Sequence, residues 1–118
     1  MASDGQGSGQ NQDARRGDLS CVPAASLLAE TREAADFLKA LGHEGRLLML
    51  YHLCERDLTV TELELLIQSR QAAVSQQLAR LRFEKLVSAR RDGNQIIYSL
   101  ADERVRAMVA VIQRLFRG

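Results

Sequence analysis

The chain has 118 residues, of which 46% are hydrophobic and only 4% aromatic, and its formal net charge is +1. Its length predicts one small domain, and a core built on Leu, Val, Ile and Ala favours packed helices over an all-β sandwich. No apolar run approaches the roughly 20 residues that cross a bilayer, and the N-terminus lacks the apolar segment of a signal peptide. We therefore expect a cytoplasmic protein, whose two cysteines do not form a disulfide framework.

The N-terminal 20 or so residues are polar and contain four glycines among the first seventeen. Such a segment buries too little apolar surface to offset the entropy lost on ordering. We predict a flexible tail over residues 1–22 and a folded domain over residues 23–118.

Helical spacing of apolar residues characterises the first half of the domain. It predicts one helix from Pro23, which suits a first helical turn, to about Gly42, and a second from Glu44 to about Cys54. Thr59-Val60-Thr61-Glu62 has the pattern of a capping box, in which hydroxyl and carboxylate each accept from the other residue's amide. A short third helix is therefore expected.

The second half combines a fourth helix with a β-hairpin. Ser69 is predicted to be the N-cap of a helix from Arg70 to about Lys85. The apolar spacing then changes to 2, which predicts strands over residues 86–91 and 96–100, and Asp92-Gly93 between them is a turn signal. With a last helix after the hairpin, the order α-α-α-α-β-β-α predicts a mainly helical domain with a β-hairpin wing, a winged helix-turn-helix.

The near-neutral total hides a basic segment. Residues 30–68 contain four basic and eight acidic side chains, whereas residues 69–92 contain six basic and two acidic ones, a local net charge of +4. This segment covers the fourth helix and the hairpin, so the positive charge lies where a winged helix would meet DNA.

The side chains of this segment suit duplex recognition. The second helix of a helix-turn-helix enters the major groove, where Gln can bind adenine and Arg can bind guanine bidentately, and Ser can bind a base or a phosphate. We predict DNA contacts from the fourth helix and from the hairpin tip. They are made by Ser69, Arg70, Gln71, Ser75, Gln76, Gln77 and Arg80, and by Arg90, Arg91, Asn94 and Gln95.

Two other interpretations remain open from the residues alone. Any one of these arginines could belong to a merely solvated face, and the whole chain could be a helical protein–protein interaction module that has the winged fold but binds no DNA. An enzyme is not expected, because paired carboxylates, a nucleophile–base pattern and a glycine-rich phosphate loop are missing from the sequence.

Several motifs, in order, resemble the ArsR/SmtB family of winged-helix transcriptional repressors. They span about residues 37–116 and include Ala40 to Leu47, Leu58 to Leu63, Gln71 to Arg82, Leu86 to Gly93 and Tyr98 to Leu100. The stretch from Gln71 to Leu78 is most similar to the subgroup of sulfide-responsive and nodulation-gene repressors. The resemblance implies a homodimer that is joined through its first and last helices and binds an inverted-repeat operator.

The residues themselves also favour a dimer. The last helix, which Asp102 is expected to cap, and the first helix each carry an apolar stripe, and one small domain cannot easily bury both. The alternative is that both stripes pack on the domain's own core. The predicted interface consists of Leu28, Ala35 and Leu38 with Val105, Met108, Val109, Ile112, Leu115 and Phe116.

The resemblance does not extend to the sensing sites of the family. The Cys-x-Cys metal site of some members matches Thr59 and Thr61, which are not soft ligands, and the histidines of the last-helix site are also missing here. No metal or other cofactor is expected. His43 is expected to cap the second helix.

The thiol pair of the closest subgroup falls on Tyr51 and Arg117. A redox pair of Cys21 and Cys54 stands as the alternative to a buried, structural Cys54.

Overall fold

The computed structural model describes residues 23–117, so the predicted tail, with Cys21, lies outside the described residues. It contains five helices and three short strands, which confirm the mainly helical winged helix-turn-helix. In chain order they are α1 (Ala24–Leu41), α2 (Glu44–Glu55), β1 (Leu58–Thr59), α3 (Val60–Ile67), α4 (Gln71–Phe83), β2 (Val87–Asp92), β3 (Gln95–Leu100) and α5 (Glu103–Phe116).

The described residues fall into two units, 24–35 with Pro23 in one and 36–117 in the other, and the boundary lies within α1. In the first unit, the Thr31 hydroxyl donates to the Leu27 carbonyl at 2.7 Å, a bond along the helix. The second unit contains the rest of α1 and every other element.

The core of the second unit is almost purely aliphatic, with Tyr98 as its one buried aromatic residue among the described residues. Each element from α2 to α5 contributes at least one buried side chain, so burial of apolar surface fixes their mutual arrangement. The buried residues are Ala40, Leu41, Met49, Leu50, Leu53, Leu58, Leu63, Val74, Leu78, Leu81, Leu86, Val87, Tyr98, Val105 and Val109.

The strands form an antiparallel sheet in the order β1-β3-β2. Strand β1 pairs Leu58 with Tyr98, an element absent from the sequence prediction. Two residues are too few to show the alternation by which a strand is recognised. The hairpin turn also differs by one residue, because Asp92 pairs with Gln95 and the turn is Gly93-Asn94, with Gly93 at a positive φ of 64°. A glycine in this conformation at the first central position is typical of a tight hairpin turn.

Side-chain caps set most helix starts as predicted. In the capping box, the Glu62 amide donates to the Thr59 hydroxyl at 3.1 Å and the Thr59 amide donates to the Glu62 carboxylate at 2.9 Å. Asp102 accepts from the Arg104 amide at 2.9 Å. The prediction of Ser69 as a cap is wrong. The backbone of Arg70 is still extended, with φ −65° and ψ 148°, so Arg70 occupies the N-cap position and α4 begins at Gln71.

Candidate nucleic-acid interface

Helix α4 is held by its inner face and presents the opposite one to solvent. Its Val74, Leu78 and Leu81 are buried, and the turn from α3 closes at Gln68, which adopts the left-handed conformation with φ 57°. A left-handed residue at a helix end stops the helix and redirects the chain. Because Val74, Leu78 and Leu81 form the buried face, the opposite face of α4 is the exposed one, and it carries Gln71, Ser75 and Gln76.

The tip of the wing lies beside the start of α4. An open cleft between them is lined by amide and hydroxyl groups from four elements, β1, α3, α4 and β3. Four of the residues predicted to contact DNA are brought together there, namely Gln71, Ser75, Asn94 and Gln95. The same cleft is lined by Thr59 and Thr61 at the start of α3. Sequence reasoning treated these two residues as part of a capping box and as absent metal ligands but not as DNA contacts, although the capping-box motif places them at the N-terminus of the helix before α4.

Three of the other predicted contact residues have partners within the protein. Gln77 accepts a hydrogen bond from Arg46 at 2.9 Å, Arg80 lies 3.3 Å from the Glu84 carboxylate, and Arg90 donates to Asp57 and Ser99 at 3.0 Å each. Ser69, Arg70 and Arg91 are exposed.

The bond between Arg90 and Asp57 ties the wing to the turn after α2. Hydrogen bonds from Arg90 and then Ser99 hold the pKa of Asp57 below its usual range, against a small opposing effect of burial. Sequence reasoning missed Asp57, because a turn carboxylate 33 residues before its partner gives no local signal. The observed contact means that part of the positive charge of the wing is neutralised within the protein.

The predicted dimer residues differ in exposure. Val105 and Val109 are buried in the core of the second unit, and Met108 and Ile112 are partly buried. Leu115 and Phe116 are 69% and 81% exposed at the end of α5. On α1, Ala35 is partly buried, whereas Leu28 and Leu38 are 52% and 53% exposed. The exposed members of both stripes are the ones that a partner could cover.

Cys54 is partly buried on α2, and burial raises the pKa of its thiol, although the charge of Arg106 acts in the opposite direction. A raised pKa disfavours the reactive thiolate.

Within residues 23–117 there is no group of three or more His, Cys, Asp or Glu side chains that could hold a metal ion. None of the helices in that range is both long and apolar enough to traverse a bilayer.

Comparison with known proteins agrees with this architecture. Residues 43–89 match the family described as bacterial regulatory protein, arsR family. The biofilm growth-associated repressor of Agrobacterium fabrum is 32% identical over 99 residues, which cover 84% of this chain and 85% of that protein. The transcriptional activator HlyU of Vibrio cholerae is 37% identical over 84 residues, which cover 71% and 78%. The chain therefore belongs to the arsR family of bacterial regulatory proteins.

A solved structure extends the likeness to three dimensions. The homodimeric winged helix-turn-helix DNA-binding domain of a possible ArsR-family regulator from Mycobacterium bovis has a TM-score of 0.70 and 26% identity, and the match covers 80% of this chain and 88% of that one. The fold common to the two proteins is the winged helix-turn-helix.

Proposed function

We propose that this chain is a DNA-binding transcriptional regulator that acts as a homodimer on an inverted-repeat operator. The observation that carries the proposal is the polar outer face of α4 next to the wing tip, with Gln71, Ser75, Asn94 and Gln95 around one cleft. These groups can donate and accept hydrogen bonds at base edges. Membership of the arsR family supports the same function.

In the proposed complex, α4 enters the major groove. Gln71, Ser75 and Gln76 reach base edges, since they are exposed on the outer side of the helix, whereas Ser69 and Arg70 meet the phosphates that flank the groove. Asn94, Gln95 and Arg91 of the wing contact the adjacent backbone or minor groove. Phosphate contacts of this kind orient the protein, and base contacts supply the sequence preference.

The dimer interface is formed by the exposed apolar residues of α1 and α5, among them Leu38, Leu115 and Phe116. A twofold dimer would place two copies of α4 about one DNA turn apart, which matches two half-sites of a palindrome. The homodimeric state of the Mycobacterium bovis relative supports this arrangement.

Regulation follows from occupancy of the operator. A dimer that overlaps a promoter excludes RNA polymerase, so we propose repression, as the name of the Agrobacterium relative states for that protein. We also propose a cytoplasmic location, because a bacterial regulator that binds chromosomal DNA must reach it there. No cofactor is part of the proposal.

The test is selection of duplexes from a random-sequence library by the purified protein, followed by footprinting on the selected sequence. We expect an inverted repeat whose half-site centres lie about 10 base pairs apart or a multiple of that, protected by one dimer. Recovery of no preferred sequence, together with equal binding to all duplexes, would contradict the proposal and favour the interaction-module interpretation.

A further inference from the structure

Arg46, in the first turn of α2, joins three helices through its guanidinium. Its Nε donates to the Ala40 carbonyl at 2.5 Å and its Nη2 to the Lys39 carbonyl at 2.9 Å. These carbonyls belong to the last turn of α1, where the Lys39 carbonyl also accepts from the Gly42 amide at 3.2 Å. The third bond runs from Nη1 to Gln77 Oε1 on α4, at 2.9 Å. One rigid, planar group therefore connects the end of α1 with the middle of α4.

Gln77 is the part of α4 that this connection holds. Its side chain is partly buried, while its neighbours Ser75 and Gln76 are exposed on the outer side of the helix. Since Gln77 lies within one turn of Ser75 and Gln76 and within two turns of Gln71 but is bonded to Arg46 of α2, its orientation constrains the rotation of α4 about its own axis.

His43 also approaches Gln77 but is the weaker partner. The Gly45 amide donates to His43 Nδ1 at 3.1 Å, so in the neutral ring the proton lies on Nε2. That nitrogen is 3.4 Å from Gln77 Nε2, which is a donor as well. Two donors cannot share a hydrogen bond, so the charged bond from Arg46 is the one that fixes the amide.

The electrostatic surroundings of Arg46 agree with a structural tie. Burial, followed by the nearby charge of Arg80, lowers the pKa of Arg46, and Glu84 raises it. A guanidinium stays charged under all ordinary conditions. Its charge is thus directed to two helix-end carbonyls and one amide oxygen inside the protein.

We propose that Arg46 and Gln77 are positioning residues for DNA binding, and that Gln77 acts through Arg46 rather than by touching DNA. This inference rests on the proposed function. It assigns Gln77, which sequence analysis placed among the DNA contacts, to the support of α4. A recognition helix whose supporting contacts are loosened loses specific contacts before it loses general phosphate attraction.

The test compares two substitutions at one position. Gln77→Glu keeps an oxygen that accepts from Arg46, whereas Gln77→Met fills similar space without an acceptor. The probes are a duplex that the wild type selects from a random library and a scrambled duplex of the same composition. The ratio of the two affinities is the readout, because it cancels the general repulsion that an added carboxylate exerts on phosphates.

We expect Gln77→Met to lower this ratio about tenfold, the order of effect of losing one hydrogen bond to a charged group. Gln77→Glu should keep the ratio within about threefold of the wild type. Thermal unfolding of both variants checks that the fold is retained. If Gln77→Glu loses as much as Gln77→Met, Gln77 contacts DNA directly and the inference is overturned. An unchanged ratio for Gln77→Met overturns it as well.

Two further variants locate the partner. Arg46→Lys keeps the charge but not the planar fork, and when combined with Gln77→Met it should add no loss beyond that of Gln77→Met alone. Additive losses would contradict action through a common contact. His43→Asn replaces the capping ring nitrogen with another N-cap acceptor, the asparagine side-chain oxygen, and should leave the ratio unchanged. A wild type that selects no duplex refutes the proposed function itself, an outcome separate from any of these.

Discussion

At the scale of single residues, the side chains of α4 divide by what they contact. Gln76 and Ser75 are exposed, whereas Gln77 is bonded to Arg46 and Arg80 lies beside Glu84. Helical periodicity predicts which face of α4 is polar, and the exposed glutamine and serine confirm that face. It could not separate Gln76 from Gln77, because the partner of Gln77 lies 31 residues earlier in the chain.

We predict opposite signatures for Gln76 and Arg91. Gln76→Ala should weaken binding to the selected duplex by about 1–3 kcal/mol and relax the preference at one base pair. Arg91→Ala, on the wing, should weaken binding to all duplexes alike and reduce the slope of log affinity against log salt by about 1. Anisotropy titrations on selected and scrambled duplexes measure both. A neutral Gln76→Ala with a base-selective Arg91→Ala would refute this docking of α4.

Acid should destabilise the fold through carboxylates that are held ionised. Hydrogen bonds from Arg104 lower the pKa of Asp102, although partial burial opposes them. The Thr59 amide, with a smaller contribution from Arg56, lowers the pKa of Glu62. A carboxylate whose folded pKa is depressed contributes stability above its ordinary pKa, and this contribution is lost as the pH falls toward the folded value. The free energy of unfolding should therefore decline below about pH 4.

Asp102→Asn isolates one of these groups. Asparagine retains an oxygen for the Arg104 amide and caps about as well as aspartate, but it does not titrate. In urea unfolding between about pH 2.5 and pH 6, the variant should show a shallower acid decline than the wild type. An unchanged acid dependence would mean that Asp102 carries no part of it.

At the scale of elements, Thr59 joins the sheet to the helix-turn-helix. Its backbone pairs with Ile97 in β3, and its hydroxyl caps α3 by accepting from Glu62. The N-terminus of α3 is thereby fixed to the sheet from which the wing extends. This junction sets the cleft in which Thr59 and Thr61 lie beside Gln71 and Asn94.

We expect Thr59→Val to cost about 1 kcal/mol of unfolding free energy, because it keeps the branched shape and removes the capping hydroxyl. Thr59→Ser, which keeps the hydroxyl, is the matched control and should stay within a few tenths of a kcal/mol. Equilibrium urea unfolding distinguishes them. Equal stability of the two variants would show that the capping bond contributes nothing measurable.

Element types were more predictable than element ends. Apolar periodicity predicted the longer helices, the capping box predicted the short helix α3 and its start, and the change to a spacing of 2 with Asp92-Gly93 predicted the hairpin. The N-cap of α4 depends on backbone dihedrals at Arg70, and β1 depends on pairing with β3, about 40 residues later. Neither property can be read from local residue type, which is why these predictions failed or were never made.

At the scale of the whole molecule, two surfaces have opposite character. The wing and the outer side of α4 carry basic and amide groups, although Phe83 at the end of α4 is 80% exposed, while the ends of α1 and α5 expose leucine and phenylalanine. A contiguous patch of exposed apolar side chains is typical of an interface with another protein, and an interface is the role that we propose for these residues. Sequence periodicity found these stripes, but it could not tell that Val105 and Val109 are already buried in the core.

The dimer can be tested on α5 with a pair of charged variants. Ile112 is partly buried on the apolar stripe, and Ile112→Glu would place an unpaired carboxylate at the interface of both copies, which desolvation disfavours. We expect this variant to sediment as a monomer and to lose operator binding. Ala110→Glu adds the same charge at an exposed position on the opposite side of α5 and should remain dimeric. A dimeric, DNA-binding Ile112→Glu would place the interface elsewhere.

The salt dependence of binding to the selected inverted repeat tests the central claim most directly. The segment 69–92 carries a net charge of +4 in each copy, so a dimer that contacts phosphates must release several counterions. We predict that affinity falls about 10³-fold or more between about 50 mM and about 200 mM salt, with one dimer bound per repeat. An affinity that is independent of salt, or no measurable binding at the lower salt concentration, would contradict DNA recognition by α4 and the wing.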